Sequence, residues 1–316
     1  DLVENVMDQF GIEGWQIIKE FQALELENKK CSHPFYDRDS LIILGDHVTL
    51  DAGTGCVHTA PGHGADDHIV GKKYSLDCYS PVEDNGTFSK DVDQFAGQFI
   101  FKANANINET LENNGYMLKN EDLSHSYPHC WRCKKPVIYR ATPQWFISMD
   151  KLGLRQKSLD EINNVEWIPS WGRERIYSMI EHRPDWCLSR QRSWGVPIPV
   201  FHCKDCKEIF VTRESVDRIH ELFTEHSSDI WFDKDAEYLM PEGSVCEKCG
   251  SKEFTKDHNI LDVWFDSGVS HAAVLEEREG LSRPADMYLE GSDQHRGWFH
   301  SSLLTAVGRT TKAPYK

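Results

Sequence analysis

The sequence lacks an apolar run of about 18 residues, so no segment is long enough to cross a membrane as a helix. It is also poor in basic residues. The 35 Lys and Arg stand against 51 Asp and Glu, and the net charge of −16 argues against a protein that coats nucleic acid generally. The chain has no initiator Met and no basic or apolar region of a signal peptide, and both ends are expected to be cut from a longer polypeptide.

A length of 316 residues fits about two domains of ordinary size, and the 39% of apolar residues is enough to bury their cores. Local basic patches still allow contacts with phosphate groups despite the acidic total, although such clusters are also found on ordinary solvated faces. One patch comprises Arg132, Lys134, Lys135 and Arg140, and the other comprises Arg183, Arg190 and Arg192.

The pattern of helix and strand signals predicts an α/β protein. Helices are predicted at 2–10, at 104–114 and over 151–182, the last interrupted near Pro169. A final strand that runs directly into a helix from Ser292 is typical of a doubly wound sheet, where ligands lie at the carboxyl ends of strands. The predicted strands are WQIIKEFQALEL (15–26), LIILGDHVTLD (41–51), VIYRATPQWFIS (137–148), RPDWCLS (183–189), VPIPVF (196–201), ILDVWF (260–265) and DMYLEG (286–291).

Six of the ten cysteines form three Cys-x-x-Cys pairs, which favours metal binding in a reducing compartment over disulfides. Two pairs lie in a polar segment, 39 residues apart, and each fits a zinc knuckle. Four thiolates leave no open position on the ion, so a structural zinc site is predicted; the alternative is four free buried cysteines. The predicted ligands are Cys203, Cys206, Cys246 and Cys249.

The third pair, Cys130 and Cys133, has no matching pair in the chain. It forms half of a metal site completed by cysteines elsewhere, or a chance turn, and His125 or His129 are further candidate ligands. A redox role is disfavoured because the pair lies between predicted strands rather than at the start of a helix.

The run HTAPGHGADDH, from His58 to His68, holds three imidazoles and two carboxylates. One hypothesis is a metallohydrolase using His63, Asp67 and His68, although Ala65 stands where that class places a second His. Another is a metal-free pocket in which a carboxylate holds an ammonium group. The third is a surface loop whose acidic residues cap a helix.

The segment LEGSDQHRGWF, from Leu289 to Phe299, joins the last predicted strand to its helix. Carboxylates there accept hydrogen bonds from ribose hydroxyls, and the start of the helix favours an anion such as phosphate. Capping alone does not account for four residues together, which are Glu290, Gln294, His295 and Trp298. In the preceding DVWFDSG, Trp264 is either part of a core strand or the wall of an aromatic pocket.

At this point the residues match a known family. The chain resembles the bacterial isoleucyl-tRNA synthetases, a class Ia family, in family order and over nearly its whole length. The HTAPGHG and EGSDQH runs separate it from the valyl and leucyl relatives. The matching segments are GDHVTLDAGTGCVHTAPGHGADD, HSYPHCWRCKKPVIYRATPQWFISMD, DWCLSRQRSWGVPIP, LDVWFDSGVSH and DMYLEGSDQHRGWF.

The resemblance implies a Rossmann-type catalytic domain with a zinc-ribbon insertion, joined to a mixed α/β, β-barrel-like editing domain. The implied domains are an editing domain at 1–124, connecting strands with the Cys-x-x-Cys knuckle at 125–150, the first part of the catalytic domain at 151–201, the zinc ribbon at 202–257 and the second catalytic part at 258–316.

The resemblance also implies roles for individual residues. In the editing pocket, Asp67 would hold the α-ammonium of a mischarged aminoacyl group and His58 would position the adenosine or the side chain. Trp264 would form the isoleucine pocket wall. The aminoacyl-adenylate site would comprise Glu290, Gly291, Asp293, Gln294, His295 and Trp298, and the path of the tRNA would comprise Arg190, Gln191, Arg192 and Trp194.

The activity implied is ATP-dependent activation of isoleucine, its transfer to tRNA(Ile) and hydrolysis of misformed Val-tRNA(Ile). ATP with Mg²⁺ would act as substrate and Zn²⁺ as a structural cofactor. The family's ATP-phosphate motifs lie outside this sequence, so no catalytic residue for synthesis is assigned and the piece alone is expected to be inactive in synthesis. A cytoplasmic monomer without membrane contact is expected. The alternatives are the metallohydrolase and a non-catalytic zinc-ribbon binding module.

Overall fold

The computed structural model describes residues 2–51 and 53–316, which form two compact units, Asp1–Pro143 and Gln144–Lys316. The boundary between the units falls inside the predicted connecting segment 125–150. In the described part of the chain, no helix combines the length and the apolar character needed to span a membrane. The predicted domain boundaries remain predictions.

The described residues of the first unit form three α-helices, a short 3-10 helix and one short hairpin. Helices α1 and α3 confirm the helices predicted at 2–10 and 104–114, although α3 begins four residues earlier than predicted. Strands β1 and β2 pair antiparallel, with Cys31 opposite Ser40. The elements are α1 (Val3–Phe10), β1 (Lys30–Ser32), β2 (Asp39–Leu41), α2 (Ala65–Lys73) and α3 (Ile100–Asn113).

Two strand predictions in this unit are wrong. Residues 15–22 belong to no helix or strand, and Ala23–Leu26 is a 3-10 helix whose start is held by a hydrogen bond from the Gln22 N–H to Glu25 Oε1 (3.1 Å). Strand β2 ends at Leu41, where the second strand was predicted to begin. Ile18 is 90% exposed, so its apolar character is not matched by burial against a neighbouring strand. The described residues of this unit therefore form a two-stranded sheet and no barrel.

The second unit contains a helical core and a smaller cysteine-bearing subdomain. The helix predicted over 151–182 is confirmed as two helices, α4 and α5, separated around Pro169. Its helices are α4 (Leu154–Ile162), α5 (Trp171–Glu181), α6 (Arg213–His226), α7 (Ile230–Asp233), α8 (Ala236–Leu239), α9 (Val263–Gly268) and α10 (Trp298–Thr310). Its strands are β3 (Phe146–Ile147), β4 (Trp186–Cys187), β5 (Ser189–Arg190), β6 (Phe201–Cys203), β7 (Ile209–Phe210), β8 (Phe254–Lys256) and β9 (Ile260–Leu261).

All strand pairs among the described residues are antiparallel, and the single parallel link is the bridge between Ala285 and Tyr315. The parallel sheet of the Rossmann prediction is therefore not formed by these residues. The segment predicted as a strand at 286–291 pairs with no other described segment, since the parallel bridge is made by the preceding residue Ala285, and Leu289 is 80% exposed. A strand forms only where another strand satisfies its N–H and C=O groups, and no described segment does so here.

Two separate cores organise the second unit. Helices α4, α5 and α10 bury the first core, with residues such as Ile162, Ile176 and Leu303 fully excluded from solvent. The second core surrounds Trp231, which is 0% exposed and whose indole N–H donates to the Asp257 carbonyl (3.0 Å). Burying an aromatic side chain of this size stabilises a fold by about 2–3 kcal/mol, so the small subdomain has a real core beside its cysteines.

Candidate functional site

Four cysteines converge near the end of β6, the central strand of the three-stranded sheet β7-β6-β8. Cys203 ends β6, and Cys246 lies in the turn before β8. The Sγ atoms of Cys203 and Cys249 are 3.6 Å apart, those of Cys206 and Cys246 are 3.5 Å apart, and all four lie within 4.8 Å of one another. A tetrahedral ion with bonds of about 2.3 Å to sulfur separates its ligands by about 3.8 Å. The geometry fits zinc.

Matching turns present the two pairs of thiols. In the first turn, the Lys207 N–H donates to the Cys203 carbonyl (3.0 Å), and in the second the Gly250 N–H donates to the Cys246 carbonyl (2.8 Å). Both Lys207 and Gly250 have positive φ values (60° and 74°), which this tight turn requires and which glycine adopts without strain. The repeated spacing in the sequence thus produces the same local backbone twice.

The thiols of the cluster differ in their pKa values. A hydrogen bond from the Cys206 N–H lowers the pKa of Cys203 to about 6. The Ser251 N–H acts to lower the pKa of Cys249, but the neighbouring thiols and burial outweigh it and raise that pKa to about 12. Thiolates packed this closely repel one another, so a cation is needed to hold all four in the charged form. The donor set therefore suits a structural metal.

The third pair forms a turn of the same kind in the first unit. The Lys134 N–H donates to the Cys130 carbonyl (2.8 Å), and the Cys133 N–H is the main cause of a lowered pKa at Cys130. No group of three clustered metal ligands among the described residues includes this pair. A half site for metal here remains a prediction.

The predicted adenylate junction is present as a 3-10 turn, Ser292–His295, followed by α10 from Trp298. The single helix predicted from Ser292 is therefore interrupted. A Cβ atom at Gly297 would lie 2.4 Å from Gln294 Oε1 and 2.8 Å from Trp264 Cη2, so only glycine fits between these two side chains. Gln294 Oε1 also accepts the Trp298 N–H (2.8 Å). The junction thus brings Trp264 and Gln294 together, as a shared pocket requires.

Other predicted residues of this junction differ in exposure. Glu290 and Asp293 are exposed to solvent, and Gln294 Nε2 donates to Asp293 Oδ2 (2.9 Å). Trp298 is half-buried and stacks on Tyr288 with ring centroids 4.1 Å apart. The Glu290 and Asp293 carboxylates are thus open to solvent, whereas both ends of the Gln294 amide are engaged within the junction.

His295 does not face solvent with its neighbours. It is 5% exposed, and its Nδ1 lies 2.7 Å from the Ser292 carbonyl. The ring centroids of Trp167 and Trp171 each lie 5.9 Å from that of His295. The 3-10 turn directs this side chain into the interior. His295 therefore stabilises the turn and does not line a solvent-accessible binding site.

Trp264 is not on a strand. Residues 260–265 were predicted as one strand, but β9 ends at Leu261 and α9 begins at Val263. The change occurs at Asp262, whose Oδ1 accepts the Trp264 N–H (3.2 Å) as a helix N-cap. Trp264 remains 42% exposed, which suits a pocket wall better than a core position.

Asp262 links this helix to the predicted tRNA-path segment. Its side chain is 8% exposed, and its Oδ2 accepts hydrogen bonds from Arg190 Nη2 (2.7 Å) and the Trp186 indole (3.0 Å). Arg190 also donates to the carbonyls of Cys187 and Ser189. The sequence analysis missed Asp262, although an Asp directly before an aromatic pair is a recognisable helix-cap signal.

The remaining residues of the predicted tRNA path lie on the surface. Gln191 Nε2 donates to Gln144 Oε1 (3.0 Å) and Asn259 Oδ1 (2.9 Å), and Arg192 Nη1 donates to the Gln191 carbonyl (3.3 Å). Trp194 is 93% exposed.

We expect Asp262→Ala to destabilise the second unit by about 3 kcal/mol, because it leaves a partly buried guanidinium and an indole N–H without their acceptor. Asp262→Asn keeps the cap and should lose less. Urea unfolding of the full-length protein, followed by tryptophan fluorescence, measures both. Asp286→Ala is the control, since its exposed pair with Lys316 contributes little. Equal losses for Asp262→Ala and Asp286→Ala would contradict this role.

In the first unit, Asp67 lies in the first turn of α2 and holds the preceding loop. Its Oδ1 accepts the Ala60 N–H (3.1 Å), and a Cβ at Gly64 would lie 2.0 Å from its Oδ2. Among the described residues, Oδ2 has no hydrogen-bond partner. Asp67 therefore retains one carboxylate oxygen for a ligand. His58, the other residue predicted for this site, is exposed.

The metallohydrolase arrangement is not formed. His63 Nδ1 lies 2.8 Å from the Tyr139 carbonyl and His68 Nδ1 lies 3.3 Å from the Pro61 carbonyl, so both rings are turned toward backbone oxygens. In the described part of the chain, neither His joins Asp67 in a cluster of metal ligands.

The sequence analysis also missed His33, which lies close to His58. The Nδ1 of His33 accepts the N–H groups of Phe35 (3.1 Å) and Tyr36 (3.2 Å), which fixes the proton of the neutral ring on Nε2. Burial, followed by the charges of Arg38 and His58, lowers the pKa of His33. No spacing rule in the sequence connects two residues 25 positions apart.

Comparison with known proteins identifies the family to which the chain belongs. Residues 22–316 match the family of class I tRNA synthetases (I, L, M and V), and the chain belongs to that family. Its similar curated relatives are isoleucine–tRNA ligases. That of Syntrophotalea carbinolica is 60% identical over 315 residues, that of Geobacter sulfurreducens 56% over 319 and that of Syntrophomonas wolfei 55% over 315. Each comparison covers 100% of this chain, which spans 34% of the relative's length.

Proposed function

We propose that the chain is the part of an isoleucine–tRNA ligase that carries an editing pocket and one side of the amino-acid activation site. The observation that carries the proposal is identity of 55–60% along the whole chain to three isoleucine–tRNA ligases. The geometry supports it, because Trp264 and Gln294 meet at Gly297 beside the exposed carboxylates of the junction. In full-length protein, the isoleucine carboxylate would attack the α-phosphate of ATP and release pyrophosphate.

In this proposal, Trp264 contacts the isoleucine side chain, and Glu290, Gly291, Asp293 and Gln294 contact the adenylate. The segment of Arg190, Gln191, Arg192 and Trp194 follows the tRNA, and Asp262 positions it against α9. A ribose hydroxyl of the tRNA then attacks the activated carbonyl, and AMP leaves. Trp298 and His295 support the turn from beneath.

The first unit would supply the second site. Asp67 Oδ2 binds the ammonium group of a valyl ester, His58 and the neighbouring His33 orient the terminal nucleoside, and water cleaves the ester. Zinc at Cys203, Cys206, Cys246 and Cys249 would be structural, because four thiolates complete its coordination. ATP with Mg²⁺, isoleucine and tRNA(Ile) would be substrates, in a cytoplasmic monomer. Two sites are needed since one methylene distinguishes isoleucine from valine by only about 1–3 kcal/mol, a limit already known for this enzyme class.

The test is aminoacylation of tRNA(Ile) by the full-length protein with labelled isoleucine. We expect an isoleucine ester of the tRNA to accumulate in an ATP-dependent reaction. A zinc-ribbon module without catalytic function would form no ester, and this outcome would remove the proposal.

We further expect Glu290→Ala to weaken binding of a non-hydrolysable isoleucyl-adenylate analogue by about tenfold or more, because a hydrogen bond to a charged group contributes about 1.5–3 kcal/mol. Calorimetric titration measures the change in the full-length protein. Glu279→Ala is the control, as an exposed glutamate of the same unit. If both variants bind the analogue as tightly as the parent protein, Glu290 lies outside the site.

A further inference from the structure

An exposed row of aromatic rings runs across the first unit beside the third cysteine pair. It comprises Phe99, Phe101, Tyr127, His125 and His129, and is called the ring row below. Neighbouring ring centroids are 5.7 Å apart for Phe99 and Phe101, 6.3 Å for Phe101 and Tyr127, 5.9 Å for His125 and Tyr127, and 6.4 Å for Tyr127 and His129. His125, Tyr127 and His129 occupy alternate positions of the chain, and the contacts of both histidine rings with Tyr127 place the three side chains together.

The rings meet edge to face rather than stacking on one another. The interplanar angles are 60° between Phe99 and Phe101, 87° between Phe101 and Tyr127, and 88° between Tyr127 and His129. Phe99, Phe101 and Tyr127 are 38%, 38% and 37% exposed. Such an arrangement leaves ring faces open to a flat ligand group, which a row of mutually stacked rings would not.

The row continues to a turn that carries a more exposed aromatic residue. The bridge between His129 and Pro136 leads into the turn closed by the Lys134 N–H and the Cys130 carbonyl (2.8 Å). At its tip, Trp131 is 75% exposed, and the guanidinium carbon of Arg132 lies 4.8 Å from its ring centroid. The turn thus holds a large planar ring in water with a cation against it.

The same turn is positively charged in an otherwise acidic chain. Arg132, Lys134 and Lys135 are exposed, and in the described part of the chain none of them forms an ion pair, whereas the nearby Arg140 is paired with Asp84 (2.6 Å). The whole chain carries a net charge of −16. Three unpaired cations beside six aromatic rings therefore form a basic, aromatic surface on a chain whose net charge is negative.

We propose that the ring row and the Trp131 turn form a binding surface for single-stranded RNA. Bases stack on aromatic rings, and arginine and lysine contact the phosphates; each stacked base contributes about 1–3 kcal/mol. A duplex hides its base faces, so these rings select an unpaired strand. The choice of RNA rests on the proposed function, because the tRNA substrate has an unpaired, single-stranded 3′ end.

The test uses full-length protein and three probes: tRNA(Ile), a short single-stranded RNA and the duplex of the same sequence. We expect Trp131→Ala to weaken binding of the single strand and of tRNA(Ile) about fivefold or more, and to leave the duplex unchanged. Trp131→Phe, which keeps a ring, should restore most of the affinity. Fluorescence anisotropy of labelled probes gives the dissociation constants, and circular dichroism and zinc content verify that each variant is folded.

Salt dependence tests the basic side of the surface independently. Lys134→Gln/Lys135→Gln should reduce the slope of log K against log salt by about 0.7 for each lost phosphate contact with a single strand. Lys19→Gln/Lys29→Gln removes the same charge from exposed positions of the same unit and should leave the slope unchanged.

Unchanged affinity of Trp131→Ala for both single-stranded probes would contradict the proposed binding surface. Equal losses of affinity for the single strand and for the duplex would also contradict it. A surface that serves a protein partner would give one of these two results. Failure of the proposed function is a separate result, because isoleucine-dependent pyrophosphate exchange requires no RNA. If exchange is absent but Trp131→Ala still loses the single strand, the surface stands and the synthetase assignment fails.

Discussion

Cys246→Ser should remove one zinc ion per molecule from the full-length protein and unfold the subdomain around Trp231. Cys246 is 4% exposed and belongs to the core of that subdomain, so the thiolate and the packing are lost together. Structural zinc contributes about 10–16 kcal/mol of binding free energy in isolated zinc-finger peptides. A segment with one short three-stranded sheet and three helices depends on such a contribution more than a large domain does.

Metal analysis of the purified protein measures the ion, and limited proteolysis within 202–257 measures the unfolding. Cys187→Ser is the matched control, because Cys187 is half-buried in the same unit but lies outside the cluster. Zinc content that falls equally in both variants, or in neither, would show that these four cysteines do not hold the ion.

Asp67→Ala should let Val-tRNA(Ile) accumulate while isoleucine charging stays close to that of the parent protein. Loss of a charge-assisted hydrogen bond to the substrate ammonium costs about 1.5–3 kcal/mol, so hydrolysis of Val-tRNA(Ile) should slow by about ten- to 150-fold. Deacylation of preformed Val-tRNA(Ile) by the full-length protein measures this rate directly.

Two further variants separate the roles of the Asp67 side chain. Asp67→Asn keeps an acceptor for the Ala60 N–H but has no charge, and it should edit as poorly as the alanine variant. Asp66→Ala, in the same turn of α2 but exposed, should edit normally. Normal editing by Asp67→Asn would mean that Asp67 holds the loop and does not bind the ammonium group.

The convergence of four cysteines was predictable from their spacing. Two Cys-x-x-Cys pairs form the same turn, and the fold brings the two turns together near the end of strand β6. In the run from His58 to His68, Ala65 stands where the metallohydrolase arrangement needs a second His, and the rings of His63 and His68 are turned toward backbone oxygens. Residue type and short-range spacing indicated both local arrangements.

Strands were predicted poorly because their formation depends on distant partners. Met287 and Leu289 have the apolar pattern of a strand, yet they are 70% and 80% exposed and pair with no described segment. Similarly, Ile17 and Ile18 satisfy strand propensity but remain exposed. β-propensity describes how well a side chain fits a half-buried sheet surface, and it does not supply the neighbouring strand.

The directions of the side chains at the junction could also not be predicted from the sequence pattern. A regular helix from Ser292 would have turned His295 toward the strand ends, whereas in the 3-10 turn its ring is buried near the rings of Trp167 and Trp171. Asp262 shows the converse effect, because one capping carboxylate converts an apparent strand into a helix and exposes Trp264.

Amino-acid-dependent exchange of labelled pyrophosphate into ATP by the full-length protein tests the central claim most directly. The account predicts that isoleucine supports rapid exchange and that valine supports it about 10–200-fold less efficiently, as expected for a hydrophobic pocket that loses one methylene. Exchange that is independent of isoleucine, or that is supported better by valine, leucine or methionine, would contradict the assignment of Trp264 and the junction from Glu290 to Trp298 to an isoleucine site.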